Sequence, residues 1–398
     1  MPVAEEIRPP DTVVPVMLIA GEPSGDALAA ELVEALREGW RDSRTPAFFG
    51  AGGGKMAAAG VELICDLASH AVVGLVEVLK NYGRFRRIFN QLLAEAVRRR
   101  PAVVILVDYS GFNRRFAAAL RRRAEETGGG WRPNLVYYVS PQVWASRPGR
   151  AKSLERDLDL LLSIFPFEKA WYAARAPKLR VEFVGHPIVS RHAGFATRIQ
   201  ARPIPTGRPG VLLLPGSRLG ELRRHLPVML EAAREIDLKR PSHWTMILPD
   251  ERLRAVADEQ TRQGGLEIEL KVGGLAEALI GADLAIASTG TVTMECAFFR
   301  VPTVALYKTS WSTFQIGKRV VTVRYLAMPN LLADEIVFPE FVQHDATGSA
   351  IAGAALELVE NPASRAQCQD KLARITDGLG PSGASLRAAG HILELIAQ

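Results

Sequence analysis

The stretch Leu284–Phe299, LAIASTGTVTMECAFF, decides the fold. Leu284–Ala287 reads as a buried strand, Ser288-Thr289-Gly290-Thr291 as a turn of small residues, and Val292 onward as the first turns of a helix. Small residues let a ligand come close to the backbone. A helix opening there aims unpaired N–H groups and the positive end of its dipole at whatever occupies the turn. A phosphate or diphosphate is the natural occupant, and Glu295, one turn in, is placed to accept hydrogen bonds from sugar hydroxyls beside it. The competing reading is a strand–turn–helix with a Ser/Thr cap and a surface glutamate, because capping boxes use the same residue types.

The same grammar recurs on both sides of this stretch. Val13–Ala20 is a continuous apolar run, hence a buried parallel strand, and it enters the turn Gly21-Glu22-Pro23-Ser24-Gly25-Asp26. An amphipathic helix follows, with Leu28, Leu32 and Leu36 on one face. Phe48-Phe49 leads into Gly50-Ala51-Gly52-Gly53-Gly54, and Val103–Val107, Leu135–Val139 and Leu160–Ile164 are further strands. The pattern lapses over 188–210, a Pro/Gly/Arg-containing segment expected to be a linker, and resumes with Val211–Leu214, Trp244–Leu248, Ile268–Lys271, Leu284–Ala287 and Thr303–Leu306. The expected fold is α/β, two Rossmann-like doubly wound domains (1–187 and 211–398) facing a central cleft at the strand C-termini, the GT-B arrangement that other two-domain α/β enzymes share. Helical patterns at Ile351–Val359 and Leu386–Ile396 suit packing either on the first domain or on a second subunit of a homodimer.

Length and composition agree with two domains that have real cores: 398 residues, 48% hydrophobic and 23% charged. No run reaches the roughly 18 apolar residues of a membrane span. The polar, acidic start MPVAEEIRPPDTVV does not read as a signal peptide. Cys65, Cys296 and Cys368 make no disulfide framework and, like the seven histidines, no metal-ligand spacing, so a reducing cytoplasm without a metal or other cofactor is expected. Charge is uneven. Residues 1–200 carry 28 Lys/Arg against 21 Asp/Glu, residues 201–398 carry 21 against 22, and 80–132 alone carry 13 against 4. A basic first half points to an anionic partner: nucleic acid, acidic lipid or a phosphorylated substrate.

Several residues are placed for chemistry. Asp108 ends a buried strand where it meets the cleft, and partial burial raises a carboxyl toward the range of a usable base; a helix-capping role competes. Asn113, in the same turn, is a candidate to orient a substrate hydroxyl or is a turn-former. Gly216 frees the backbone after the strand 211–214, Ser217 can donate, and Arg218 offers a fork to phosphate oxygens. Ser24 and Asp26 sit at a helix N-terminus, as caps or as contacts to an acceptor. His186, in Gly185-His186-Pro187, is a hinge residue or a ligand contact. In 72–93, Val72, Val76, Leu79, Tyr82 and Phe85 exceed one core-facing stripe and are interleaved with Lys80, Arg84, Arg86 and Arg87. That mixture reads equally as a helix in an anionic membrane interface or as a core helix with solvated arginines. Nucleic acid ranks behind both, for want of a recognised motif or stacking aromatics.

In order along the chain stand AGEPSGD (20–26), VGLVEVL (73–79), DYSGFN (108–113), YYVSPQVWA (137–145), PFEKAWY (166–172), FVGHP (183–187), LLPGSR (213–218), STGTVTMECA (288–297) and MPNLLA (328–333). Together they resemble the lipid-A-disaccharide synthases, a GT-B family, over nearly the whole chain. The resemblance implies an inverting transfer from UDP-2,3-diacylglucosamine to 2,3-diacylglucosamine 1-phosphate that leaves a β-1,6 disaccharide 1-phosphate and UDP. It implies Asp108 as general base, the donor diphosphate near Ser288, Thr289, Gly290, Thr291 and Arg218, Glu295 on the ribose, and Asn330 near the site. The acceptor is expected against the first domain. The 72–93 segment matches the family's membrane-docking region, which implies a peripheral protein on the cytoplasmic face of the membrane, with lipid-linked sugars and anionic lipid rather than nucleic acid as partners. Ser110 and Ser146 depart from residues common in the family, Pro and Trp; the second bears on acyl-chain fit. The rival readings are another GT-B UDP-sugar enzyme (a different lipid glycosyltransferase or a UDP-N-acetylglucosamine 2-epimerase) and a non-catalytic nucleotide-sugar-binding membrane protein, from which UDP release on mixing both lipids discriminates.

Overall fold

Continuous apolar strands that alternate with amphipathic helices can bury both sheet faces only by winding the helices on either side of a parallel sheet. The computed structural model, which describes residues 12–67, 82–126, 130–262 and 265–397, has two such sheets. The first comprises β1 (Val13–Ala20), β2 (Thr45–Gly52), β3 (Glu62–Asp66), β4 (Val103–Val107), β5 (Asn134–Tyr138), β6 (Leu160–Ser163) and β7 (Arg180–Phe183) in the order β3-β2-β1-β4-β5-β6-β7. The second comprises β8 (Gly210–Leu214), β9 (His243–Leu248), β10 (Ile268–Val272), β11 (Leu284–Ser288), β12 (Thr303–Tyr307) and β13 (Glu340–Val342) in the order β10-β9-β8-β11-β12-β13. In each sheet the order reverses once, between β1 and β4 and between β8 and β11, pairs that run parallel with Ala20 beside Val107 and Ala287 beside Leu214. Loops leaving those strands diverge at the reversal, which opens a crevice at the carboxyl ends.

Two compact units result: the described residues up to Ser190 with those from Gly380 onward, and Arg191–Leu379. This moves two expected boundaries. The segment 188–210 is not a free linker. Pro187–Arg191 is a helix, and from Arg191 onward the chain belongs to the second unit. Side-chain bonds to backbone hold it there: the Arg202 guanidinium donates to the carbonyls of Ala282, Ile280 and Leu279, and Arg240 donates to Pro205 O at 2.7 Å and Gly207 O at 3.0 Å. The last helix, Ala384–Ala397, belongs to the first unit rather than to the second domain. It buries Ala384, Ala388, Ala389 and Ile392 and packs on the helix Pro23–Gly39. Arg387 Nε donates to Val184 O (2.9 Å) and Asn134 Nδ2 to Leu395 O (3.2 Å).

Strands β3, β7 and β13 carry no continuous apolar run, and all three lie at sheet edges, where most of their residues are only half buried. Replacing Ile392, which is fully buried in the first unit, by Ala is expected to lower that unit's unfolding free energy by about 2–5 kcal/mol. Denaturant titration followed by a first-unit tryptophan reads the change, and an unaltered midpoint would remove the helix from that core.

Candidate active site

In the first unit the reversal point is built around Asp108. The residue leaves β4 with φ 48°, and Tyr109 follows with φ 46°. Two successive non-glycine residues in the left-handed region are strained, at about 1–3 kcal/mol each, and persist only where the surroundings over-determine them. Here they do. Asn113 Nδ2 lies 2.9 Å from Asp108 O and 3.1 Å from Val107 O, and the Tyr137 hydroxyl donates to Asp108 O at 2.5 Å. Tyr109 lies over Gly21 so closely that a Cβ there would stand 2.1 Å from Tyr109 Cδ1. The half-buried Asp108 carboxyl is thereby held at the crevice. Burial, helped by the charge of Glu22, pushes it up to about 6, and a hydrogen bond from the Tyr109 backbone N–H opposes the rise.

In the second unit the two turns at the reversal point touch. Gly216, with φ 117°, sits where a Cβ would come 2.6 Å from Glu221 Oε2 and 3.3 Å from Ser288 Oγ, so only glycine fits both the conformation and the space. Ser217 N donates to Glu221 Oε2 (3.1 Å), and Arg218 Nη1 is paired with Glu221 Oε1 (3.0 Å) while its side chain stays about half exposed. Ser288 is buried at the end of β11. Gly290 and Thr291 are exposed at the N-terminus of the helix Thr291–Phe298, with Thr289 half buried before them. Exposed residues at a helix start and a half-exposed guanidinium on the neighbouring turn are features an anion site would use.

A histidine that gives no signal in the sequence fixes these turns. His225 is fully buried in the helix Leu219–Lys239. Its Nδ1 lies 2.8 Å from Pro215 O, and its Nε2 lies 3.0 Å from Lys308 N and 3.1 Å from Lys308 O; protonated at Nδ1, the neutral ring donates to Pro215 O and accepts from Lys308 N. Burial depresses its pKa and so favours that neutral form.

Other expected site residues have structural work instead. Asp26 is buried, and its carboxylate accepts from the backbone N–H groups of Gly53 (2.7 Å), Lys55 (3.0 Å) and Met56 (3.1 Å), so it caps the next turn rather than meeting an acceptor. Asn113 has no exposed surface and pins the strained turn; it does not reach a substrate hydroxyl. Asn330 is likewise 0% exposed: Oδ1 accepts from Val337 N and Phe338 N, and Nδ2 donates to Phe338 O and Glu340, so no valence is left for a ligand. Glu295 is engaged by His192 and, at 3.6 Å, by Arg191, both from the expected linker, so any ribose must share that carboxylate. Ser24 is exposed at the start of its helix. His186 is half buried and accepts from Ile188 N at 3.1 Å, as a turn residue does.

Val72, Val76 and Leu79 lie outside the described residues, as does the side chain of Tyr82. Phe85 is partly buried: with Ile88 and Phe89 it packs against the first unit's core, while Arg84, Arg86 and Arg87 on the same helix are exposed.

A family model described as lipid-A-disaccharide synthetase matches residues 16–390. The chain belongs to the lipid-A-disaccharide synthase family. The lipid-A-disaccharide synthase of Geobacter sulfurreducens is 37% identical over 386 residues, spanning 96% of this chain and 97% of that one. Its counterpart from Myxococcus xanthus is 35% identical over 387 residues, with 96% and 97% covered. Among solved structures, the UDP-N-acetylglucosamine 2-epimerase of Neisseria meningitidis bound to UDP-GlcNAc has a TM-score of 0.60 at 11% identity, covering 98% of this chain and 100% of that one. The calicheamicin glycosyltransferase CalG4 has 0.57 at 14%, covering 96% and 98%. At such identities the likeness is one of fold, and that fold is GT-B. The family is one of glycosyltransferases, so this member is an enzyme.

If Asn330 is a staple in this synthase-family chain, Asn330→Ala strips the acceptor from two buried N–H groups. A loss of about 2–4 kcal/mol in second-unit stability is expected, with UDP affinity at low temperature unchanged. Weaker UDP binding by calorimetry in a variant of normal stability would restore Asn330 to the ligand site.

Proposed function

We propose that this family member condenses UDP-2,3-diacylglucosamine with 2,3-diacylglucosamine 1-phosphate, in a single inverting displacement, to the β-1,6 disaccharide 1-phosphate and UDP. Asp108 removes the proton from the acceptor 6-hydroxyl as that oxygen attacks the anomeric carbon, through an oxocarbenium-like transition state. The observation that carries this is a carboxyl at the reversal point of the first sheet whose burial brings it to about 6, so that near neutral pH it is ionised and still basic. The leaving diphosphate is bound in the second unit by the N–H groups at Thr291 and by Arg218, with Ser217 and Ser288 beside it. Glu295, oriented by His192, serves the ribose.

No metal is assigned a role. The positive end of the helix dipole at Thr291 and the Arg218 guanidinium stabilise the charge that develops on the leaving diphosphate. Two diacylated substrates are best met at a lipid surface. We assign the protein to the cytoplasmic face of the membrane as a peripheral protein, a reading supported by exposed Arg84, Arg86 and Arg87. No helix among the described residues is long and apolar enough to cross a membrane.

Asp108→Asn keeps the shape of the side chain and removes its basicity. It is expected to lower UDP release from the two lipids by about 10²–10⁴-fold while UDP binding is retained. Near-normal turnover would remove Asp108 as the base, and conversion of UDP-N-acetylglucosamine without any acceptor would favour an epimerase.

A further inference from the structure

The basic excess over residues 80–132 is unevenly neutralised. Arg98 and Arg99 pair with Glu95, Arg99 also with Glu62, Arg121 and Arg132 with Asp159, and Arg123 with Glu126. Arg114 and Arg115, near the start of the helix Ser110–Glu126, have no such relief: among the described residues no carboxylate or carbonyl accepts from either guanidinium. Among the described residues the guanidiniums of Arg147 and Arg150, in the turns that follow β5, likewise have no carboxylate or carbonyl acceptor.

These four guanidiniums come together. Helix Ser110–Glu126 packs on the helix Ala151–Asp157, which brings the two short runs of sequence into one place. Burial and then one another's charge hold Arg114 and Arg150 below the ordinary arginine value: Arg114 feels Arg147 and Arg115, and Arg150 feels Arg114, Arg147 and Arg115. Arg114 Nε is buried without a hydrogen-bond partner. Arg114 also lies beside Tyr137, whose hydroxyl bonds Asp108 O. The cluster therefore stands at the carboxyl ends of β4 and β5, one side chain away from the proposed base. Like charges gathered without a counter-ion repel one another, and planar forks of this kind match the oxygens of a phosphate.

We propose that Arg114, Arg115, Arg147 and Arg150 form a subsite for a phosphate monoester, filled in this protein by the 1-phosphate of the acceptor sugar. The identity of the occupant rests on the transfer reaction proposed above. With its phosphate held there, the acceptor is fixed at one end while its 6-hydroxyl is presented to Asp108, and an acceptor without the phosphate is discriminated against.

The headgroup of an anionic lipid offers the same chemistry, so the test has separate arms. The full-length protein, wild type and Arg114→Gln/Arg147→Gln, is titrated with soluble glucosamine 1-phosphate in the absence of donor, assayed for acceptor and donor KM, and sedimented with phosphatidylglycerol vesicles. Expected are a tenfold or greater loss of glucosamine 1-phosphate binding, a similar rise in acceptor KM with smaller changes in kcat and donor KM, and intact vesicle binding. The exposed single variant Arg147→Gln, checked by thermal melting, shows the same trend should the double variant fold poorly. Unchanged sugar-phosphate binding and acceptor KM would overturn the proposal, as would lost vesicle binding at an unchanged acceptor KM, which assigns the arginines to the lipid surface. Should the wild type release no UDP from the two lipids but bind glucosamine 1-phosphate through these arginines, the transfer reading fails and the phosphate subsite stands.

Discussion

The backbone of Asp108 is the constraint on which the first unit's chemistry depends. A strand that ends in two left-handed residues cannot relax into either a longer strand or an earlier helix, because the Asn113 amide and the Tyr137 hydroxyl hold the Asp108 carbonyl and Tyr109 closes over Gly21. This strained pair sits at the place where β1 and β4 part company. Its product is a carboxyl whose burial and proximity to Glu22 make it a weaker acid than an ordinary aspartate. The Asn113 amide and the Tyr137 phenol act on the backbone carbonyl of Asp108 and not on its carboxyl, so they fix the turn.

The second unit solves a different problem with similar means. An anion site needs exposed N–H groups on a rigid turn, and rigidity comes from behind: His225 joins the carbonyl before Gly216 to the end of β12, and Glu221 satisfies Ser217 N while pairing with Arg218. Several polar residues that stand in recognisable motifs are of this supporting kind. Asp26 and Asn330 each accept two or more backbone N–H bonds in the interior. A buried loop cannot leave those groups unpaired, so such residues are held in place by folding as firmly as ligand contacts are by function.

The sequence shows its central strands plainly, because a strand covered on both faces must be apolar throughout, and β1 and β4 have the expected bounds. Edge strands lack that requirement, and β3, β7 and β13 leave no trace of it. The turn residues Gly216, Ser288 and Gly290 are legible because turn geometry and close approach need small side chains. What a polar side chain faces is not legible. Asn330 pairs with residues seven to ten positions away, Glu295 with His192 a hundred positions earlier, and Phe85 packs partly buried against the first unit's core; each depends on a tertiary contact with no local pattern. The same holds for the division into units, since the return of the chain at Gly380 to the helix Pro23–Gly39 follows from packing alone.

The central claim is that Asp108, tuned by its surroundings, is the base. The direct measurement is the pH dependence of kcat/KM for wild type and Glu22→Gln. A base must be ionised, so activity should fall as the pH is lowered through about 6 in the wild type. Removing the Glu22 charge favours the ionised form, and the midpoint should move to lower pH. An acid limb that stays where it was in Glu22→Gln, or that lies near the ordinary carboxylate value of about 4 in the wild type, would contradict the account.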